Sequence, residues 1–263
     1  MVMVVLPAVL LPGIGADARQ IVVLFALIAA VLTFVEYSAA YPSLVEFRYA
    51  PPFNRIRFLA LFATLMMLTV IVRGQFVPTT FSLLAEAVGH VIGQAMDFPY
   101  SPVRLVTLML PADTPLAQIA TVRALAGMSY IVSLLMLTVF IVAMRLGAWP
   151  SRNGSFNVWV NLPTFDPTAG GDVVERLERD ARFNIALGFL LPFLIPAGVR
   201  LVTETISPAA FNGGQTLVWI IAAWAFLPAS LFMRGIAMWR VARMIRAQRA
   251  ANTAEAEGGL HAV

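Results

Sequence analysis

Apolar positions along this chain come in long unbroken runs, and the polar residues collect in the gaps between them. A run of about 20 such residues is long enough for a helix to cross a bilayer, whereas a half-buried strand would alternate. The pattern predicts spans at residues 21–41, 56–77, 122–145, 183–202 and 217–233. Residues 1–15 are also apolar, but the run is short and carries Pro7 and Pro12, so it is expected to lie in the interface or re-enter rather than cross or be cleaved. Between the second and third spans, Phe81, Leu84, Val88, Val91, Ile92 and Ala95 share one helical face, which predicts an interfacial amphipathic helix over residues 79–97. Ala85, Gly89 and Gly93 form a row of small residues on it that permits close helix packing. Thr114 before Pro115 predicts the start of the third spanning helix, with the threonine as cap.

The loop 146–182 divides in two. Asn153-Gly154 is a turn signal, and Phe156, Val158, Val160 and Leu162 alternate with polar positions, which predicts an extended piece ended by Pro163 and Pro167. Asp172 with Glu175 then has the spacing of a capping box, followed by i,i+4 pairs Glu175 with Arg179 and Glu178 with Arg182. In the fourth span, Pro192 and Pro196 each remove a backbone donor, so a kink or break is expected there. Residues 217–249 could form one helix of about 50 Å, longer than a hydrocarbon core of about 30 Å, and must emerge, bend or lie down. Residues 250–263, small and polar, are expected to be a disordered tail.

Composition agrees with the pattern: 60% of residues are hydrophobic and 12% charged, too apolar for a soluble domain. The fold class expected is an all-α integral membrane protein, a polytopic helical bundle of about five transmembrane helices plus interfacial amphipathic helices. All 18 basic residues are arginine, which reads as codon usage in a GC-rich bacterial genome. They alternate in side: thirteen fall in the loops before the second and fourth spans and after the fifth, and five (Arg19, Arg73, Arg104, Arg123, Arg200) on the other side. By the positive-inside bias this predicts a multi-pass protein of the bacterial inner membrane with its N-terminus outside and its C-terminus in the cytoplasm. The net charge of +4 is then explained at membrane edges, without nucleic acid. No cysteine is present, which excludes disulfides and thiolate chemistry.

Candidate chemistry is sparse. Glu86, His90 and Asp97 lie on one stripe of the interfacial helix and are weak metal candidates, with a polar face as the plainer reading. Glu36, Pro192, Pro196 and the pair Arg200 and Glu204 are the positions a transport pathway or a buried polar site would use. Arg48, Arg55, Asn157, Asn161, Asp166 and Asp172 could form a cytoplasmic polar site. Arg234, Arg240, Arg243, Arg246 and Arg249 would suit anionic lipid headgroups or a partner. No cofactor is predicted, and no nucleotide, zinc or nucleophile motif is present. The expected partners are the bilayer, its anionic headgroups and another membrane protein. The leading reading is a non-catalytic accessory, assembly or stabilising subunit of a membrane complex. The alternatives are a small-solute or ion transporter using the fourth helix, and a lipid-modifying enzyme using Asp166 and Asp172.

Overall fold

The structure, a computed structural model, describes residues 1–147, 149–150, 156–166, 168, 170–202 and 214–260, with side chains described as far as residue 255. The regular elements among the described residues are all helices: α1 (Val2–Leu10), α2 (Ala16–Ser38), α3 (Phe53–Gly74), α4 (Thr80–Ala95), α5 (Pro102–Leu108), α6 (Leu116–Leu146), α7 (Val158–Asn161), α8 (Val173–Val202) and α9 (Gly214–Leu260). Five of them, α2, α3, α6, α8 and α9, are long and apolar enough to span a bilayer. The chain is a polytopic helical membrane protein. At nine residues, α1 is about 13 Å long and does not cross; it buries Leu6, Pro7 and Ala8 and packs on α2 and α3.

Local chemistry explains several helix ends. Thr79 caps α4 by accepting from the Ser82 amide (3.1 Å), and the Ser82 hydroxyl accepts from the Thr79 amide (2.8 Å), a reciprocal box with serine in the role usual for glutamate. Ser101 caps α5, accepting from the Arg104 amide at 3.0 Å, with Pro102 in the first turn. Thr114 does not cap α6 as predicted. Pro115 occupies the cap position, and the Thr114 hydroxyl donates back to the Pro111 carbonyl at 2.7 Å.

Three other expectations change. The alternating stretch forms the short helix α7, capped by Asn157, because Asn157 Oδ1 accepts from the Val160 amide at 3.4 Å; the Asn153-Gly154 turn lies outside the described residues. The helix that starts after Asp172 and the fourth span are one element, since α8 runs 30 residues with both prolines inside it, and the predicted break is absent. Finally, α9 runs 47 residues, about 70 Å, through the alanine- and glutamate-rich residues 250–260 where no structure was expected. Those residue types have high helix propensity, which the small-and-polar reading of the tail did not weigh.

Helices α8 and α9 form an antiparallel hairpin held by two glycines. A Cβ built on Gly188 would meet the Phe232 amide nitrogen at 2.6 Å and the Pro228 carbonyl at 2.7 Å, and one on Gly235 would meet the Ala181 carbonyl at 2.7 Å. Backbones approach that closely only where a side chain is missing. The small row Ala85, Gly89 and Gly93 is buried likewise, with Gly93 against Gly127 of α6. The apolar residues Phe81, Leu84, Val88 and Val91 of α4 face outward.

Helix α2 stands apart. Of its 23 residues only Ala26 and Glu36 are buried, and the helix it packs against is α1. Only 11% of its apolar window is buried, against 61% for α9 at the centre of the bundle.

Candidate functional site

The α2–α3 loop, the end of α6, the middle and later turns of α9 and the start of α8 meet at one end of the bundle, which is where most arginines collect. Three contacts fix the meeting: Glu46 with Arg234, Trp149 with Ala50, and Asp172 with Arg249. The floor is aromatic. Phe47, at a left-handed φ of 52°, lies with its ring centroid 4.5 Å from Phe53 and 5.5 Å from Trp149, and Phe140 closes on Trp149 edge-on at 5.3 Å. The buried Trp149 Nε1 donates to the Ala50 carbonyl at 3.1 Å.

Polar groups sit above this floor. The Glu36 carboxylate, near the C-terminus of α2, accepts from the amides of Ser43, Leu44 and Val45 at 2.8 to 3.2 Å and from the Ser43 hydroxyl at 2.6 Å. Arg48 donates to the Glu36 and Ala39 carbonyls at 2.6 and 2.7 Å, covering acceptors that the helix end leaves open. Together they lock the loop onto the end of α2, and the second terminal nitrogen of Arg48 donates to the Tyr49 hydroxyl at 2.6 Å. Asn161 holds the next stretch, accepting the Tyr49 amide on Oδ1 at 3.0 Å and the Phe47 amide on its carbonyl at 2.6 Å.

The centre is Glu46. Arg234 donates to it twice, Nε to Oε2 at 2.6 Å and a terminal nitrogen to Oε1 at 2.8 Å, and the Thr164 hydroxyl adds a third bond at 2.6 Å. This is the side-by-side arginine–carboxylate geometry that gives the strongest charge-assisted pairs. Asn54 donates to the Glu46 carbonyl at 2.7 Å, and Arg57, one turn further along α3, reaches Asn54 Oδ1 only at 3.5 Å. A cavity of about 210 Å³ opens here, lined by Leu44, Val45, Glu46, Asn54, Arg57, Ser230, Leu231 and Arg234.

Among the predicted polar-site residues, Arg48, Asn157 and Asn161 come together around the loop, and Arg55 is exposed. Asp166 accepts from Thr168 at 2.6 Å. Asp172 is 2.7 Å from Arg249, whose hydrogen bond holds its carboxyl below the usual carboxylate range. Of the C-terminal arginines, Arg234 is taken by Glu46, Arg240 by the Trp149 carbonyl at 3.2 Å, Arg246 by Glu178 at 2.6 Å and Arg249 by Asp172. Arg243 lies over the Trp239 ring at 5.1 Å. Glu178 therefore reaches across to α9 instead of along α8 to Arg182, and Arg179 lies 3.8 Å from Asp180 instead of pairing with Glu175.

No protein-family model, curated protein or solved structure matches the chain. Any functional reading therefore rests on the chain's own geometry.

The remaining candidates lie elsewhere. His90 and Glu86 are 3.7 Å apart on α4, but Asp97 turns away to Arg123 at 3.1 Å and Arg104 at 3.9 Å. No group of three metal-ligating side chains converges among the described residues. Arg200 is in the last turn of α8, and its expected partner Glu204 lies outside the described residues. Pro196 has no amide for the Pro192 carbonyl, and the buried Trp224 Nε1 of α9 donates to that carbonyl at 3.0 Å instead. The indole thus fills the gap that a broken-helix binding site would use. Trp224→Phe keeps an aromatic side chain but orphans the carbonyl and removes one buried ring, and is expected to lower stability by about 1–3 kcal/mol or more, read as a drop in the thermal unfolding midpoint in detergent.

Sequence reading missed Glu46, Asn54, Thr164 and Arg57. Glu46 and Arg234 are 188 residues apart, so no spacing rule joins them. The available signal was a lone carboxylate inside a basic loop, which must find a cation if it is buried.

Proposed function

We propose that the chain is a non-catalytic subunit of a bacterial inner-membrane complex, with the arginine-rich end in the cytoplasm and the N-terminus outside. The observation that carries this reading is α2. A spanning helix anchored at both ends, by α1 and by the Glu36 and Arg48 clamp, yet held off its own bundle, leaves lateral room for a transmembrane helix of another protein. The exposed side chains it offers include Phe25, Val31 and Phe34, which suit van der Waals packing against an apolar helix. The charged groups support the same reading: among the described residues the ion pairs lie near or beyond the ends of the apolar runs, and the polar side chains buried deeper in the spans are hydroxyls such as Thr69, Ser129 and Ser133.

The chain has no cysteine, so a single introduced thiol reports without background. Phe25→Cys and Phe34→Cys on α2, with Leu135→Cys on α6 as comparison, are labelled with a benzophenone maleimide and irradiated in native membranes. A covalent product with a different polypeptide, formed from the α2 positions and not from α6, is expected. Crosslinks to lipid alone, or to a second copy of this chain alone, overturn the accessory-subunit reading.

A further inference from the structure

We propose that the cavity between the α2–α3 loop, the first turns of α3 and the middle of α9 binds a phosphate group, supplied as the headgroup phosphodiester of an anionic lipid. Charge comes first. The lining carries two guanidinium groups, Arg57 and Arg234, and one carboxylate, Glu46. Both oxygens of that carboxylate hydrogen-bond to Arg234, and Oε1 also to Thr164, so Glu46 attracts Arg57 only at longer range while Arg234 places a second cation beside it. Arg57 has no carboxylate within 4.0 Å among the described residues; its polar contact is the 3.5 Å approach to Asn54, and its cation faces the Phe53 ring at 5.3 Å. A partly buried guanidinium beside a cavity with no carboxylate hydrogen-bonded to it is matched by phosphate, whose oxygens accept from two guanidinium nitrogens in parallel.

Size and position narrow the source. At about 210 Å³ the cavity is smaller than sites that enclose a whole drug-sized ligand, and suits a headgroup whose remainder lies outside. Arg57 sits one turn into a spanning helix, at the depth where arginine side chains reach toward phosphates from the apolar zone. Leu44, which lines the cavity, is 68% exposed, and Phe58 and Leu59, which follow Arg57 on α3, are 54% and 62% exposed. Acyl chains can lie along that face, because α2 does not pack over α3. A free phosphate ion would make no use of it.

The test uses the full-length protein, delipidated in mild detergent. The probes are dioctanoyl phosphatidylglycerol, dioctanoylglycerol with the same chains and no phosphate, and inorganic phosphate. Native mass spectrometry and the shift in unfolding midpoint are the readouts. The phosphatidylglycerol is expected to be retained and to raise the midpoint, the diacylglycerol to do neither, and Arg57→Gln to weaken retention roughly tenfold while the exposed Arg55→Gln does not. Arg57→Lys, which keeps the charge but not the planar fork, should fall between them. If Arg57→Gln does not fold, competition by inorganic phosphate on the unaltered protein decides the source. Millimolar phosphate that displaces the lipid and alone gives the full midpoint shift overturns the lipid assignment in favour of a free anion. Equal retention of the diacylglycerol, or retention unaffected by either Arg57 variant, overturns the phosphate site.

Discussion

Gly188→Val is expected to separate α8 from α9 and to cost about 3 kcal/mol or more, the upper part of the range for overpacking a close contact. The atoms in the way are backbone: the Phe232 amide nitrogen at 2.6 Å and the Pro228 carbonyl at 2.7 Å from the new Cβ. A side chain could rotate aside, but a helix axis must move as a whole. The same movement would break the Trp224 bond to Pro192 a turn away and loosen Glu178 from Arg246 further along. Gly235→Val should act in the same way, since its Cβ would fall 2.7 Å from the Ala181 carbonyl. Gly198, on the same helix, has nothing within 4 Å of a built Cβ. Gly198→Ala is therefore expected to stabilise by about 0.5 kcal/mol through helix propensity alone. Thermal unfolding in one detergent, followed by tryptophan fluorescence, measures all three. Equal midpoints for Gly188→Val and Gly198→Ala would show that the two helices do not cross at this glycine.

The second large effect is expected at Glu46. Its side chain is 10% exposed and that of Arg234 24%, so the pair is mostly withdrawn from solvent. Removing the carboxylate strands a buried guanidinium with Arg57 nearby as a second cation. Breaking a buried pair from one side costs roughly 3–5 kcal/mol, and the partial exposure of Arg234 places Glu46→Ala near the lower figure. The cost arises from the charge left behind, so the double variant Glu46→Ala with Arg234→Ala should be less destabilised than the sum of the two singles. Additive effects would mean that the two side chains stabilise the bundle separately.

Much of this architecture was legible in the sequence because bilayer crossing demands something simple, a long apolar run, and because arginine marks one side of it. The helices over the second and fifth runs begin at Phe53 and Gly214, and the helix over the third begins at Leu116, six residues before its apolar run. The misplacements come from contacts that local pattern does not carry. Pro192 and Pro196 predict a break only if nothing replaces the lost bonds, and the replacement, Trp224, is 32 residues away. The seven residues around α7 alternate well enough for a strand, yet one Asn157 cap decides for a helical turn. At the candidate site the sequence offered arginines in abundance but not their partners. Arg57 looked like one more topological marker among thirteen, and only the commitment of Glu46 to Arg234 makes it different. The C-terminal arginines show the converse: four of the five are satisfied within the chain.

The proposed orientation of the five-span bundle, with its arginine-rich end in the cytoplasm, is tested directly by labelling of introduced cysteines. Thr168→Cys and Ala250→Cys report the arginine-rich end; Gln75→Cys and Asp113→Cys report the opposite one, and all four positions are exposed. In intact spheroplasts a membrane-impermeant maleimide should label Gln75→Cys and Asp113→Cys at once, and the other two only after the membrane is opened. Labelling of Thr168→Cys or Ala250→Cys from outside, or protection of Gln75→Cys and Asp113→Cys, would contradict it.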